Sequence, residues 1–594
     1  MTFRSAAAAV LVVLGGAFAA IADAADMTKT LRVEFRVAES GFDPQAFSDN
    51  YSSLVADAIF DPLYTYDYFA RPARLAPRTA DGLPQITDDG RTYTIKVRPG
   101  IYFADDPAFK GKRRELVAED YVYTIKRMFD PKIRSYWLYL FENHLTGLDA
   151  PLARARKSGT LDYDEKIAGL QALDRYTLRI RFNEPDWSFQ HWLTSAQFAA
   201  VAREVVDAYK DSSNRVMEHP VGTGPYRLAQ WTRGQKIVLE ARPGYRDERY
   251  PTPPAGSSAE VLATAQGYAG RPVPFIGRIE ISVLEEAQPR LLSFEQGDLD
   301  FLELPASLAG NVLDGARLKP AYVKKGVVLH RQIEPTVAFY FFNLDNPVVG
   351  GYAPAQIALR RAIAMGFDSV AATKTLLYGQ AIPATQPVPP PVPGYDPSFA
   401  SPSAYDPAAA RALLDKFGFR EKDADGYRKT PDGKPLTIIR ASTPDSAARA
   451  EDELWKRCMD AIGIRMVDFK QKWPELNKMS EAGQLMMWGL SWIASTPDAD
   501  TFYSTLYSKN IGTMNDARFR LPEYDRLYEA ARRLPDGPER NALYRRMTGL
   551  VVAYAPWLLR NYPYDNVLAQ SWVRGYSQHP FLRSQWRFYD VVAH

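Results

Sequence analysis

The stretch from His219 to Tyr245, "HPVGTGPYRLAQWTRGQKIVLEARPGY", constrains this chain more than any other. Gly222-Thr223-Gly224-Pro225 leads into one strand, Arg233-Gly234 turns the chain, and a second apolar strand runs from Lys236 to Arg242. Two such strands joined by a short turn containing Gly form a hairpin. The glycines are not a phosphate loop: no Lys and Ser/Thr follow them, and a strand stands where a phosphate loop requires the N-terminus of a helix.

Units of the same kind occur on both sides of it. "KTLRVEFRVAESGFDPQAF" opens with a strand that sets Leu31, Val33, Phe35 and Val37 on one face, then turns at Gly, Asp and Pro. "SSLVADAIFDPLYTYD" reads as a helix ended by Asp61-Pro62. In "DDGRTYTIKVRPGIYF", Tyr93, Ile95 and Val97 alternate with polar residues between two turns, which predicts an antiparallel strand with one wet face. "AEDYVYTIKRMFDP" is an amphipathic helix that stops before Pro131, and "YTLRIRFNEP" is another strand. "LLSFEQGDLDFLEL" is a helix end, a Gly cap and a strand.

From about residue 335 strands and helices alternate more clearly. "TVAFYFFNLDNP" is apolar without interruption, the pattern of a strand buried on both faces. "ALRRAIAMGFD" is a helix, and "GQAIPATQPVPPPVPGYDP" is a stiff surface connection. "YDPAAARALLDKFGF" is a helix with Asp406 as N-cap, Pro407 in its first turn and Gly418 closing it. "DADGYRKTPDGKPLTIIRAS" adds a hairpin with Gly-bearing turns and a strand, "IRMVDFK" a strand, and "LMMWGLSW" a strand of the same sheet. At its end lies "WGLSWIASTPDADTF", where two tryptophans meet Ser495, Thr496, Pro497, Asp498 and Asp500. The carboxyl end of a strand in an open α/β sheet is a favoured place for a ligand.

A chain of 594 residues exceeds what one core sustains, so two or three domains are expected. Arg4 precedes "AAAAVLVVLGGAFAAIA", which ends in Ala22-Asp23-Ala24; this is the form of a secretory signal peptide, residues 1–24, and the run is short for a spanning helix. The mature protein is therefore expected to be exported, without stable membrane insertion. The net charge of +3 and the short basic run "KGKRRE", flanked by acidic residues, give no footprint for nucleic acid. The only cysteine, Cys458, falls on the apolar face of a helix, so neither an intramolecular disulfide nor a lipid-attachment cysteine after the signal is expected. Histidines 144, 191, 219, 330, 579 and 594 lack metal-ligand spacing, and no metal or other cofactor is expected.

In order along nearly the whole mature chain, "DDGRTYTIKVRPGIYF", the hairpin stretch, "GDLDFLEL", "ALRRAIAMGFD", "YDPAAARALLDKFGF" and "EYDRLYEAARRLPDGPERNALYRRMTGLVVAYAPWLL" resemble the family 5 extracellular solute-binding proteins, the periplasmic peptide-binding class of ABC importers. The resemblance implies an α/β, pear-shaped, periplasmic-binding-protein-like fold with two lobes closing over a ligand and an additional domain. By that analogy lobe 1 is discontinuous (25–65, 216–334 and 556–594), the additional domain is 66–215, and lobe 2 is 335–555. It implies a monomer in the periplasm that hands its solute to membrane permease subunits. A ligand touching both lobes stabilises the closed form through its differential affinity.

The resemblance also suggests site residues. Relatives that bind peptides carry an Asp three residues after the tryptophan at Trp492, where it pairs with the ligand's α-amino group; here Ser495 stands there. A neutral hydroxyl makes the weaker bond, so either Asp498 supplies the carboxylate or the cargo lacks a free amine. Trp492, Ala494, Ser495 and Asp498 are expected to line the ligand from lobe 2, with Glu39, Ser40 and Phe42 on lobe 1 and Tyr562 and Tyr564 near an interlobe crossing. Trp488 and Trp492 also share a strand face suited to packing, and Asp498 or Asp500 suits a helix cap. "FADDPAFKGKRRELVAED" departs from the family as an insertion. No G-x-S-x-G elbow or convincing carboxylate pair points to an enzyme. The alternatives are a non-peptide solute (sugar, opine, chelate or antibiotic), a sensor or chaperone module, and a periplasmic hydrolase built from distant residues.

Overall fold

The computed structural model of the chain describes residues 25–401, 404–582 and 585–593, and the expected signal segment 1–24 lies outside them. In the first of three larger sheets, the strands Asp26–Phe35, Ile276–Val283, Lys236–Ala241 and Tyr226–Thr232 lie side by side in that order. The outer pair at the N-terminal strand is parallel and the others antiparallel. The hairpin read from the sequence supplies two of these strands. Its entry loop runs against the end of the helix Asn50–Ile59, where Gly224 N–H donates to the Ile59 carbonyl at 2.8 Å. A Cβ on Gly222 would stand 2.1 Å from that oxygen, which is why the loop needs glycine.

Leu31, Val33 and Phe35 face the core of this sheet, but Val37 is 55% exposed. The strand stops at Phe35, paired with Val283 at the end of its partner, so the alternation has nothing to pack against two residues later.

The second sheet is antiparallel throughout: Gln85–Thr87, Thr92–Lys96, Thr177–Arg181 and Leu170–Asp174. Tyr93, Ile95 and Val97 are buried as their alternation predicts, in an apolar cluster running from Leu63 to Val221. The helix Ala118–Arg127 packs on it through Tyr121, Val122 and Ile125. The departing segment 103–120 forms a short turn capped by Asp106 and rejoins the sheet region through a bridge between Tyr102 and Glu115.

The third sheet runs Phe301–Glu303, Trp557–Ala569, Thr336–Phe342, Met487–Ile493, Thr437–Ser442, Arg465–Lys470, with Val328–Ile333 and Ala381–Pro383 also paired to Trp557–Ala569. All seven residues of Thr336–Phe342 are buried. The 13-residue strand Trp557–Ala569 serves two cores. Its first half pairs with Thr336–Phe342 and sends Leu558 and Tyr562 into an apolar cluster of residues 337–562; its second half pairs with Val328–Ile333 and sends Val567 and Ala569 into the cluster around the first sheet. The chain thus passes between the two cores at Glu334-Pro335 and again at Pro563, where Glu334 N–H donates to the Pro563 carbonyl at 2.9 Å.

Helix ends follow their sequence signals. Asp406 accepts from Ala409 N–H, Pro407 begins the helix Pro407–Lys416, and Gly418 follows at φ +94°. Cys458 is buried on the helix Ser446–Ala461. Among the described residues no helix is long and apolar enough to cross a membrane.

Candidate functional site

One strand edge stands open at the passage between the two cores. Met487–Ile493 pairs over its full length with Thr336–Phe342, while on its other side it is bridged to Thr437–Ser442 only through Met487 and Arg440. Ala494 N–H donates to the Pro335 carbonyl at 2.8 Å. In an antiparallel ladder the peptide groups of alternate residues point to opposite edges. Residues 488, 490, 492 and 494 therefore address Thr336–Phe342, and Gly489, Ser491 and Ile493 turn their N–H and C=O groups to the open side. Ser491 is exposed and Ile493 is 41% exposed. Such an edge takes up an extended chain by backbone hydrogen bonding.

Aromatic side chains flank this edge. Trp488 and Trp492 lie on one face, opposite Phe341 and Val337. Trp488 is in the core and Trp492 is half-buried against it. Trp473, 6.2 Å from the Trp488 ring, opens the helix Trp473–Glu481 and is 56% exposed. It was not among the residues expected from the sequence. Its signal there was a lone large aromatic between charged neighbours, "KQKWPEL", ahead of a helix-starting Pro.

Beyond the strand the chain dips inward: Ala494 is buried, Ser495 is exposed, and Thr496 to Ala499 are buried again. Asp498 accepts from Arg540 Nη1 at 3.1 Å, from Asp500 N–H at 2.9 Å and from the Tyr544 hydroxyl at 3.4 Å. The second of these bonds serves the start of the short helix Asp500–Tyr503. Asp498 is thus committed to an internal ion pair, while Ser495 is exposed. Burial, with the neighbouring Asp498 charge adding to it, pushes the Asp500 carboxyl up to about 6. Burial pulls the Arg540 guanidinium down, and the attraction of Asp498 and its neighbours more than offsets it, so Arg540 stays charged.

Of the remaining expected residues, Tyr562 and Tyr564 flank Pro563, which is joined through Glu334 and Pro335 to Ala494. Phe42 is fully buried, its ring 4.7 Å from Trp231. Buried Glu39 accepts from the Trp231 indole and from Gly234 N–H, and exposed Ser40 bonds to Asp49. Tyr562 and Tyr564 are in the long strand and not in a turn. Tyr562 is buried and donates to the Gln386 carbonyl at 2.7 Å; Tyr564 is half-buried under the Arg331 guanidinium, 3.6 Å from its ring centroid. Among the described residues no group of three or more His, Cys, Asp or Glu could hold a metal ion.

The sequence matches the family of bacterial extracellular solute-binding proteins, family 5, over residues 74–513. It is 26% identical over 503 residues to heme-binding protein A of Haemophilus influenzae, covering 84% of this chain and 81% of that one. It is 26% identical over 583 residues to di/tripeptide-binding protein 2 of Pseudomonas aeruginosa, covering 95% of each. Among solved structures, HbpA2 of Haemophilus parasuis superposes with a TM-score of 0.74 at 18% identity over 95% of this chain and all of that one. The periplasmic binding protein DppA of Helicobacter pylori, in complex with peptide STSA, gives 0.67 at 21% identity over 95% and 98%. The fold is the mixed α/β fold of these binding proteins.

Proposed function

Since the chain belongs to the family 5 extracellular solute-binding proteins of ABC importers, we propose that it captures a peptide or peptide-like solute and delivers it to a membrane permease. The observation that carries this reading is the open edge of Gly489–Ile493, with Trp473 and Trp492 beside it and the passage between two cores at its end. Backbone groups bind an extended chain regardless of its side chains, and the tryptophans add apolar area. The two connections at Glu334-Pro335 and Pro563 suit a hinge, and closure of 335–555 on the rest of the chain would bury the solute. We place the mature protein in the periplasm, as a monomer, after removal of 1–24, and read its role as binding without catalysis.

A solute without a free amine is the favoured refinement. Ser495 is neutral, and Asp498, the next carboxylate in the loop, is held by Arg540. This supports N-blocked peptides or non-peptide solutes, and it agrees with a relative named for heme. The test is mass spectrometry of what co-purifies, followed by thermal unfolding with each candidate added. A bound solute raises the melting temperature by mass action and is recovered unchanged. A product formed from it would instead point to a hydrolase.

A further inference from the structure

The part of the chain built around the second sheet reaches the turn 533–537, and through it the loop after the open strand, by a chain of side chains. Trp187 Nε1 donates to the Arg533 carbonyl at 3.1 Å. The indole is seated on the turn before Thr92–Lys96: a Cβ on Gly90 would stand 2.7 Å from it, and Asp186 N–H donates to the Gly90 carbonyl at 3.1 Å. One helical turn further on, buried His191 lies with Nε2 3.9 Å from Asp536 Oδ2, and its Nδ1 is 3.3 Å from the Tyr66 hydroxyl. Asp536 accepts from Arg540 Nη1 at 2.6 Å, and the same nitrogen reaches Asp498 at 3.1 Å. Asp498 holds Asp500 N–H.

Arg533 and Asp536 lie in the turn between the helices Pro522–Arg532 and Pro538–Tyr554, and Arg540 is in the first turn of the second. We propose that Trp187 and His191 are positioning residues for the loop Ser495–Asp500: they fix the turn 533–537, which fixes Arg540, which fixes Asp498. The second-sheet unit would then set the shape of the loop that ends the open edge, although it contributes no residue to that edge. A single guanidinium nitrogen shared between Asp536 and Asp498 makes the link stiff, since moving the turn must lengthen one of two charge-assisted bonds. The consequence for solute affinity rests on the proposed function; the mechanical link does not.

The test is hydrogen exchange on the full mature chain without any solute, comparing wild type with Trp187→Phe, Asp536→Asn, Asp536→Glu and Asp498→Asn. Trp187→Phe removes the indole donor with its bond and, the ring being smaller, part of the packing on Gly90. It is expected to speed exchange of the amides 500–503 about fivefold, roughly the factor for one lost hydrogen bond, and Asp536→Asn to do likewise. Asp536→Glu, which keeps the charge, should retain most of the protection, and amides of Asp26–Phe35 should not change in any variant. Combined with Asp498→Asn, Trp187→Phe should add little, because both break one chain. Protection unchanged in Trp187→Phe and Asp536→Asn, while Asp498→Asn loses it, overturns the coupling and leaves the proposed function standing. Additive effects in the double variant overturn it equally. Conversely, a failure to find any solute would leave the exchange result intact.

Discussion

Arg540 meets Asp498 at 3.1 Å with both side chains only 3% exposed, across 42 residues of sequence. An ion pair taken out of water is not in itself a large source of stability, but removing one partner strands the other. Here the Asp500 carboxylate lies near the pair, so a loss of Arg540 would leave Asp498 buried without its partner and beside a second carboxylate, with only Arg532 near Asp500.

Arg540→Met is therefore expected to destabilise the protein by about 3–5 kcal/mol, the usual cost of an uncompensated buried charge. Urea denaturation at neutral pH measures it. A loss below about 1 kcal/mol would mean that Asp498 and Asp500 find solvent once Arg540 is gone.

The raised Asp500 carboxyl makes a pH prediction of definite sign. Its folded value, about 6, lies above the ordinary 3.8, so between those values the folded chain holds a proton that the unfolded chain releases. Stability from this group is present at low pH and is lost as pH rises from about 4 through 6. Glu34, pushed up to about 7 chiefly by burial, acts in the same direction, so the comparison must be between variants. Asp500→Asn should be more stable than wild type at pH 7, and the difference should shrink toward pH 4. Melting curves at four pH values test this; a gap that widens on acidification would reverse the assignment.

Ser495→Asp should restore an amine anchor. With trialanine and N-acetyl-trialanine as probes in calorimetry, the variant is expected to gain for the free-amino peptide by the worth of a charge-assisted hydrogen bond, about 1.5–3 kcal/mol. No gain is expected for the acetylated form. Equal gains for both, or none for trialanine, would remove Ser495 from the contact.

The three tryptophans should separate by function. Trp488→Ala removes a core side chain and should cost about 3–5 kcal/mol of stability. Trp473→Ala, at an exposed site, should change stability by no more than about 0.5 kcal/mol, yet weaken or abolish solute binding. Trp492→Ala should show part of both effects. Chemical denaturation and binding measured on the same three proteins decide it, and a Trp473→Ala protein that binds as well as wild type would take that ring out of the site.

Gly222→Ala tests the seat of the hairpin. The added methyl would meet the Ile59 carbonyl oxygen at 2.1 Å and its carbon at 2.8 Å, both backbone atoms. A loss of about 1–3 kcal/mol or more is expected. Gly256→Ala, at an open turn, is not an equal control because its φ is +81°; Gly310, with nothing within 4 Å and no such φ, is the better one.

Much of the fold is legible locally. The alternation of Tyr93, Ile95 and Val97, the unbroken run Thr336–Phe342 and the Asp406-Pro407 helix start each carry their own answer within a few residues. Val37 shows where local reading stops. Its period is right, but the partner strand ends at Val283, so the residue is left outside. The candidate site was legible only in part for the same reason. The sequence marks 488–502 as unusual and sets Ser495 in a revealing place. It shows two acids near each other and cannot show that one of them is paired with Arg540.

By itself, then, the sequence determined many of the elements and the family, because periodicity, capping and turn chemistry act between neighbours in the chain. Tertiary structure alone decided which edge of Met487–Ile493 stays open, which tryptophan faces solvent and which carboxylate is paired with Arg540. Those are questions of what arrives from residues tens to hundreds of positions away, and a buried charge or an unpaired strand edge is defined by those partners and by nothing local.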